Sequence, residues 1–332
     1  MNLKNKIKAA QDFANYLLSD DEELKNIISK SYAYNYWFTP ENTTFALHNI
    51  ANQFLNESKI EAWLSTYKIP ENLNSKTIAI VAAGNIPMVA FQDILCVLIA
   101  GHKLQIKLAE KDKILLPFIL EKWKNFDAEL LDKIDLVEKL NQFDAVIATG
   151  SNNTARYFDY YFGKYKNIIR KNRNSIAILD GSESFEELVA LGHDVFDYFG
   201  LGCRNVSKIF IPRNYDFTLL IHAFKQFNFL ENHNAYMNNL DYQRTIYLMN
   251  QTNMQDIDFV NIIENTALCS PIACLYYQYY DDISETENFI QTENENIQCV
   301  IGKKYLAFGY SQQPSLSDYA DNVDTLQFIL SL

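Results

Sequence analysis

The sequence is short of several organising features. Its five cysteines, Cys96, Cys203, Cys269, Cys274 and Cys299, are odd in number and none belongs to a CxxC pair. That argues against a disulfide framework and a cysteine zinc site, and fits a reducing, cytoplasmic setting. No GxGxxG and no Walker motif occurs, so a bound nucleotide is held by another geometry. Basic residues are scarce, 29 against 41 acidic ones, for a net charge of −12. That balance argues against a general nucleic-acid surface, because the phosphate backbone would repel it. An anionic ligand is not, since a pocket can be locally basic or use backbone N–H groups. The longest apolar run, Met88 to Gly101, is interrupted by Gln92 and Asp93 and is too short to span a bilayer, so it reads as a buried helix. The start, Met1 to Lys8, is basic without the apolar core of a signal peptide. No repeat or low-complexity linker is evident.

What is present is an ordinary globular composition: 332 residues, 48% hydrophobic and 21% charged, enough for a large core in two lobes. Residues 3–66 read as helices. Thr39-Pro40-Glu41 places a cap, a proline at the first helical position and an acid in the first turn. From residue 76 short apolar runs alternate with helical stretches near 88–100, 113–125 and 152–162. The runs are Thr77–Ala83, Leu104–Leu108, Ile134–Val137, Ala145–Ala148 and Ser175–Leu179. This alternation predicts an α/β fold with a mostly parallel, doubly wound sheet, whose ligands sit at the carboxyl ends of the strands. Those ends carry Gly84-Asn85-Ile86-Pro87, Ala109-Glu110-Lys111, Thr149-Gly150-Ser151-Asn152 and Asp180-Gly181. Gly150-Ser151 at a helix start is an anion cradle in form, and equally common turn chemistry.

Glu186 to Phe199 reads as a helix delivering Gly200-Leu201-Gly202-Cys203, followed by a strand from Ser207 to Pro212. Glycines beside a thiol leave room for a substrate, yet most free cysteines are small buried hydrophobes, and on this stretch alone both readings of Cys203 stand. His193, ten residues upstream, reads as structural, and Asp180 as a helix cap. Residues 214–228 and 229–258 predict helices, the latter polar and on the surface. Asp281 to Ile290 predicts a capped helix, 297–302 a strand, and the tail from Gly309 a polar loop before a last apolar segment.

Several segments, in order, resemble the aldehyde dehydrogenase superfamily. Gly84-Asn85-Ile86-Pro87 resembles its Trp-Asn-Phe-Pro turn and Ile106-Lys107-Leu108-Ala109-Glu110 its Lys-Pro-Ser/Ala-Glu strand end. Thr149-Gly150-Ser151 resembles its Thr-Gly-Ser turn. Leu188 to Lys208 resembles its catalytic helix and Gly-Gln-x-Cys-x-x-Gly-Ser-Arg segment, and Ser270-Pro271-Ile272 its Phe-Gly-Pro-Val segment. Within the superfamily the chain is most similar to the acyl-CoA reductases, the fatty-acid reductase group of bacterial luminescence, through its short length, the glycine pair before Cys203 and the tail Gln312-x-Pro-x-Leu-x-Asp-Tyr-Ala-Asp321.

The resemblance implies a Rossmann-type dinucleotide domain with a helical N-terminal region over 1–181, rejoined by 309–332, and an α/β catalytic cysteine domain over 182–308. It implies Cys203 as the nucleophile toward an acyl thioester such as acyl-CoA, and the Asn85 side chain with the Cys203 backbone N–H as oxyanion donors. Without it, Asn85 reads as a turn former before Ile-Pro. It further implies Lys107 and Glu110 at the adenine ribose and Gly150 and Ser151 at the pyrophosphate of NAD(H) or NADP(H). A homo-oligomer and an acyl-transferring synthetase subunit are implied partners; no metal is. Two positions depart from the pattern. The Glu-Leu-Gly-Gly that follows the fifth strand in hydrolytic members is matched to Ile178-Leu179-Asp180-Gly181, and the Glu that holds the nicotinamide ribose to Ala267. An apolar residue cannot activate water, so an acyl-enzyme would await hydride. The competing functions are a non-acylating aldehyde dehydrogenase, which Ile178 opposes, and a catalytically silent scaffold of the same fold.

Overall fold

The computed structural model describes residues 3–69 and 74–332, so Met1 and Asn2 of the basic start lie outside the described residues. The chain divides into two compact units, residues 1–172 with 314–332, and residues 173–313.

The first unit begins with α1 (Leu3–Leu17), α2 (Glu22–Tyr34), α3 (Pro40–Asn49) and α4 (Glu57–Leu64). Asp21, Thr39 and Asn56 each accept a first-turn backbone N–H, satisfying donors that a helix start otherwise leaves unpaired. The buried faces of these helices, with Phe13, Leu17, Leu47 and Trp63, join one apolar cluster with Ile78, Ile94 and Ile106. The remaining elements are β1 (Thr77–Val81), α5 (Phe91–Ile99), β2 (Lys103–Lys107), α6 (Leu115–Lys124), β3 (Ile134–Leu136), β4 (Ala145–Thr149), α7 (Asn152–Phe162) and β5 (Lys166–Arg170). The strands form a parallel sheet in the order β3-β2-β1-β4-β5. The order reverses between β1 and β4, which opens a crevice at their carboxyl ends.

The second unit contains β6 (Asn174–Ile178), α8 (Phe185–Phe196), β7 (Val206–Pro212), α9 (Phe217–Phe224), α10 (Asn234–Met249), β8 (Met254–Ile257), β9 (Val260–Glu264), β10 (Cys274–Tyr280), α11 (Ile283–Thr292) and β11 (Ile297–Ile301). Its sheet runs β11-β6-β7-β10-β9-β8, parallel except for the β8–β9 pair. The chain ends with α12 (Thr325–Leu330), back in the first unit.

Four expectations differ from this arrangement. The fifth strand of the first sheet is β5, which has only two apolar residues, Ile168 and Ile169, between polar ones. An edge strand needs no continuous apolar run, because one flank has no neighbouring strand. The run 175–179 instead forms β6, paired with β7 and β11 in the second sheet. The division between units accordingly falls at 172/173 and 313/314, where the expected boundaries were 181/182 and 308/309. The polar stretch 229–258 ends in strand β8, and α8 stops at Phe196, before the glycines. No helix among the described residues is long and apolar enough to cross a membrane.

Candidate active site

In the first unit the expected cofactor residues lie along one edge of the sheet. Val81 pairs with Lys107 on β2 and with Ala148 on β4, so the loops after β1, β2 and β4 leave the sheet at one level. These loops carry Asn85, Glu110 and Gly150-Ser151. Gly84 is required where the first two meet: a Cβ there would lie 2.7 Å from the Ala109 Cβ. A Cβ on Gly150 would lie 2.9 Å from the Phe158 ring. Ser151 caps α7, its Oγ accepting the Thr154 N–H at 3.2 Å. The Ser151 hydroxyl therefore serves the helix, and what the α7 start offers an anion is its first-turn backbone N–H groups. Lys107 and Glu110 are exposed at the end of β2, and Glu110 meets Lys113 at 2.8 Å. The features on this edge suit a dinucleotide: the strand order supplies the crevice, Gly84 and Gly150 keep the backbone close, and an exposed ammonium and carboxylate stand at the end of β2.

Sequence reasoning did not single out Asp112 on this edge. It is 3% exposed, its Oδ1 accepts the Leu116 N–H at 3.2 Å, and its Cβ lies 3.5 Å from where a Gly84 side chain would begin. Burial pushes its carboxyl up to about 6. The signal was an Asp three residues before the first residue of α6.

In the second unit α8 starts with a capping box, Ser184 and Glu187, so Asp180 is not its cap. Asp180 instead accepts the Ser182 N–H and holds Lys303 at 3.1 Å. Burial opposes its charge, but bonds from Ser182 and Lys303 hold its carboxyl at about 2. Beyond α8 the backbone takes three successive left-handed residues, Tyr198 (φ 53°), Phe199 (φ 60°) and Gly200 (φ 73°). Tyr198 and Phe199 are buried, and each non-glycine in that region costs on the order of 1–3 kcal/mol, which surrounding packing must offset. The run turns the chain sharply out of α8 into the turn Gly202–Asn205 and so into β7.

Cys203 sits half-buried on that turn. Its carbonyl accepts the Ser175 Oγ at 3.1 Å, and the same hydroxyl lies 3.0 Å from Cys299 Sγ. Asn205 closes the turn, its N–H donating to the Gly202 carbonyl at 3.1 Å. Ser175 and Asn205 were missed because nothing local marks them; their roles come from strands and a helix end distant in sequence. His193 bonds Asp197 at 3.1 Å on the half-exposed side of α8, which raises its pKa and leaves it structural. Burial pushes the other thiols up: Cys96 well above its usual range, Cys269 less so, and Cys274 and Cys299 to about 11.

The loop of Ala267 is fastened to β7. Lys208 Nζ donates to the carbonyls of Asn265 at 2.9 Å and Ala267 at 3.2 Å, and Ser207 Oγ to that of Leu268 at 2.8 Å. Lys208 is fully buried, and burial lowers its pKa to about 8.

The matching of Ile178 to the water-activating Glu depended on 175–179 being the fifth strand of the first sheet, and has to be corrected. Ile178 is a core residue of the second sheet. The fifth strand is β5, which the chain leaves through Arg170-Lys171-Asn172-Arg173. Residues 165–179 contain no carboxylate, so the absence persists at a different position.

No protein-family model and no curated protein matches the sequence. Solved structures do match. Aldehyde dehydrogenase 21 of Physcomitrella patens, in complex with the product succinate, aligns at TM-score 0.68 and 11% identity over 91% of this chain and 74% of that one. An acetylating aldehyde dehydrogenase of Geobacillus thermoglucosidasius aligns at TM-score 0.64 and 11% identity over 95% and 86%. An indole-3-acetaldehyde dehydrogenase of P. syringae, in complex with NAD+, aligns at TM-score 0.61 and 12% identity over 87% and 69%. At such identities the likeness concerns architecture: the chain has the aldehyde dehydrogenase fold.

Proposed function

We propose that the chain reduces an acyl thioester, of which acyl-CoA is the expected class, to an aldehyde through an acyl-enzyme on Cys203. The observation that carries the reading is the turn of Cys203: a half-buried thiol placed by three left-handed residues, with its own carbonyl held by Ser175. Strain and fixed geometry of this kind are what a nucleophile's placement demands, and a packing cysteine needs neither.

In this reading the Cys203 thiolate attacks the thioester carbonyl. The new C–S bond forms, the carrier thiolate leaves and takes up a proton, and the acyl group remains on Cys203. NADH or NADPH, when bound, would supply a hydride to the acyl carbon; the bond from that carbon to Cys203 would then break, returning the Cys203 thiolate and releasing the aldehyde. Both halves pass through a tetrahedral oxyanion, for which the Cys203 N–H and the Asn85 side chain are the proposed donors, each worth about 3–4 kcal/mol. Lys107 and Glu110 would hold the adenine ribose, and the backbone at Gly150 and Ser151 the pyrophosphate. The lack of a carboxylate after β5 supports reduction over hydrolysis, since nothing there can activate water against the acyl-enzyme.

The test is direct. The full chain, given an acyl-CoA with NADH or NADPH, should release aldehyde and free CoA in equal amounts, and Cys203→Ala should abolish both. Undiminished turnover in Cys203→Ala sinks the reading.

A further inference from the structure

Asn205 grips Gly202 by both of its backbone polar groups. Its Oδ1 accepts the Gly202 N–H at 2.9 Å, and its own N–H donates to the Gly202 carbonyl at 3.1 Å. The other end of the side chain faces the end of α8: Nδ2 lies 3.2 Å from the Asp194 carbonyl, 3.3 Å from that of Val195 and 2.7 Å from that of Asp197. Only this orientation of the amide suits its neighbours: the two Nδ2 hydrogens are shared among three carbonyl acceptors, and the oxygen faces the one donor. Asn205 is 3% exposed, so water cannot replace these bonds if they are lost.

The grip has a directional consequence. The Gly202 carbonyl and the Cys203 N–H belong to one peptide unit, and in a trans peptide they point to opposite sides. With the carbonyl held on the Asn205 side, the Cys203 N–H is aimed away from it. Ser175 holds the next peptide unit through the Cys203 carbonyl at 3.1 Å. Both planes flanking the nucleophile are thus held by buried side chains.

We propose that Asn205 is the positioning residue of the nucleophile turn: it fixes the Gly202–Cys203 peptide plane, and with it the direction from which the Cys203 N–H meets the oxyanion formed on the acyl substrate. This rests on the proposed role of Cys203. Asn205 touches no reacting atom. It transmits the rigid end of α8 to the peptide that does, and an oxyanion donor is effective only when aimed before the charge develops.

The experiment separates aiming the donor from building the fold. Alkylation of Cys203 by iodoacetamide needs an accessible thiolate and no oxyanion donor; acylation by octanoyl-CoA needs both. In Asn205→Ala, CoA release and aldehyde formation should fall roughly ten- to a hundred-fold, as for a misaimed donor, mainly in kcat, while Cys203 alkylation stays within about three-fold of wild type. Asn205→Asp retains the acceptor for the Gly202 N–H. It should turn over faster than Asn205→Ala, because the oxygen that holds the Gly202 N–H is kept. Unchanged turnover in Asn205→Ala overturns the proposal. So does a parallel loss of turnover and alkylation, which makes Asn205 a fold residue only. Cys203→Ala run beside them reports on the nucleophile itself: if it keeps turning over, the functional reading fails before Asn205 is in question.

Discussion

Asp93 and Arg170 meet as a buried ion pair in the first unit. Arg170 Nη2 lies 2.8 Å from Asp93 Oδ1, and Nη1 closes the fork onto Oδ2. Thr325 Oγ1 accepts the same Nη2 at 2.8 Å. Asp93 is on α5, the helix that follows the Asn85 turn; Arg170 is the last residue of β5, and Thr325 begins α12. One side-chain cluster therefore ties the end of the sheet and the returning tail to the helix behind a proposed site residue.

Breaking this pair from one side leaves a charge without a partner in a dry environment. Asp93→Ala should cost about 3–5 kcal/mol, whereas replacing both residues by apolar ones of similar volume should cost much less. Urea unfolding of the two variants checks this. Equal losses in both would mean that the pair is a net stabiliser and not a satisfied liability.

Asp112 makes stability depend on pH with an unusual sign. Its folded carboxyl sits at about 6, above the ordinary value of 3.8, so between those values the folded state binds more protons than the unfolded one. Stability at this group is therefore greatest below about pH 4 and declines as pH rises to about 6, by on the order of 3 kcal/mol. Asp112→Asn should remove that slope. Denaturant midpoints at about pH 4, 5, 6 and 7 for wild type and variant give the answer, and parallel curves would show that Asp112 titrates normally.

Gly84 is a packing constraint beside Asn85. In Gly84→Ala the new methyl group meets the Ala109 Cβ at 2.7 Å and must push the β1 and β2 loops apart. The expected cost is about 1–3 kcal/mol, with weaker NADH binding because the loop that carries Glu110 moves. Adding Ala109→Gly clears the obstruction and should return most of both. If the double variant stays as impaired as the single one, the contact is not the cause.

Legibility in the sequence differs from element to element. The strand ends at Gly84, Lys107 and Gly150 were legible because each follows an apolar run and precedes a helix, a pattern contained in some thirty residues of chain. β5 was not legible, since Ile168-Ile169 is too short a run to stand out. β6 was seen as a strand but assigned to the wrong sheet: Ser175–Ile178 is equally apolar in either, and only pairing with β7 decides. The grip of Asn205 on Gly202, and the cluster of Asp93, Arg170 and Thr325, depend on segments brought together by the fold, so their residue types carry no local signature.

The cysteines offer a test of the nucleophile that needs no substrate. Cys96 is buried and its thiol pKa is raised well above its usual range, and Cys274 and Cys299 are pushed to about 11, so at neutral pH almost none of each is thiolate. Cys269 is exposed, but local burial raises its thiol too. Limited iodoacetamide treatment near pH 7.5 followed by peptide mass mapping should find Cys203 modified first and activity lost in proportion. Modification of Cys269 ahead of Cys203 would instead point to a thiol at 203 that is merely packed.

The proposed ribose site makes cofactor preference turn on two exposed side chains at the end of β2. A carboxylate at the ribose accepts from a free 2′-hydroxyl and repels a 2′-phosphate, and an ammonium does the reverse. Glu110 and Lys107 lie within four residues of each other and have opposite effects. The Lys113 bridge to Glu110 is solvent-exposed and offsets little of the carboxylate's charge. Glu110→Ala should weaken NADH binding and spare NADPH, moving the ratio of affinities about ten-fold toward NADPH. Lys107→Ala should move it the other way, because a 2′-phosphate loses its only counter-charge of the two. Fluorescence titration of both cofactors against wild type and the two variants measures the ratio. A ratio that neither substitution alters removes the end of β2 from the ribose site and leaves the crevice between β1 and β4 as the place to look for it.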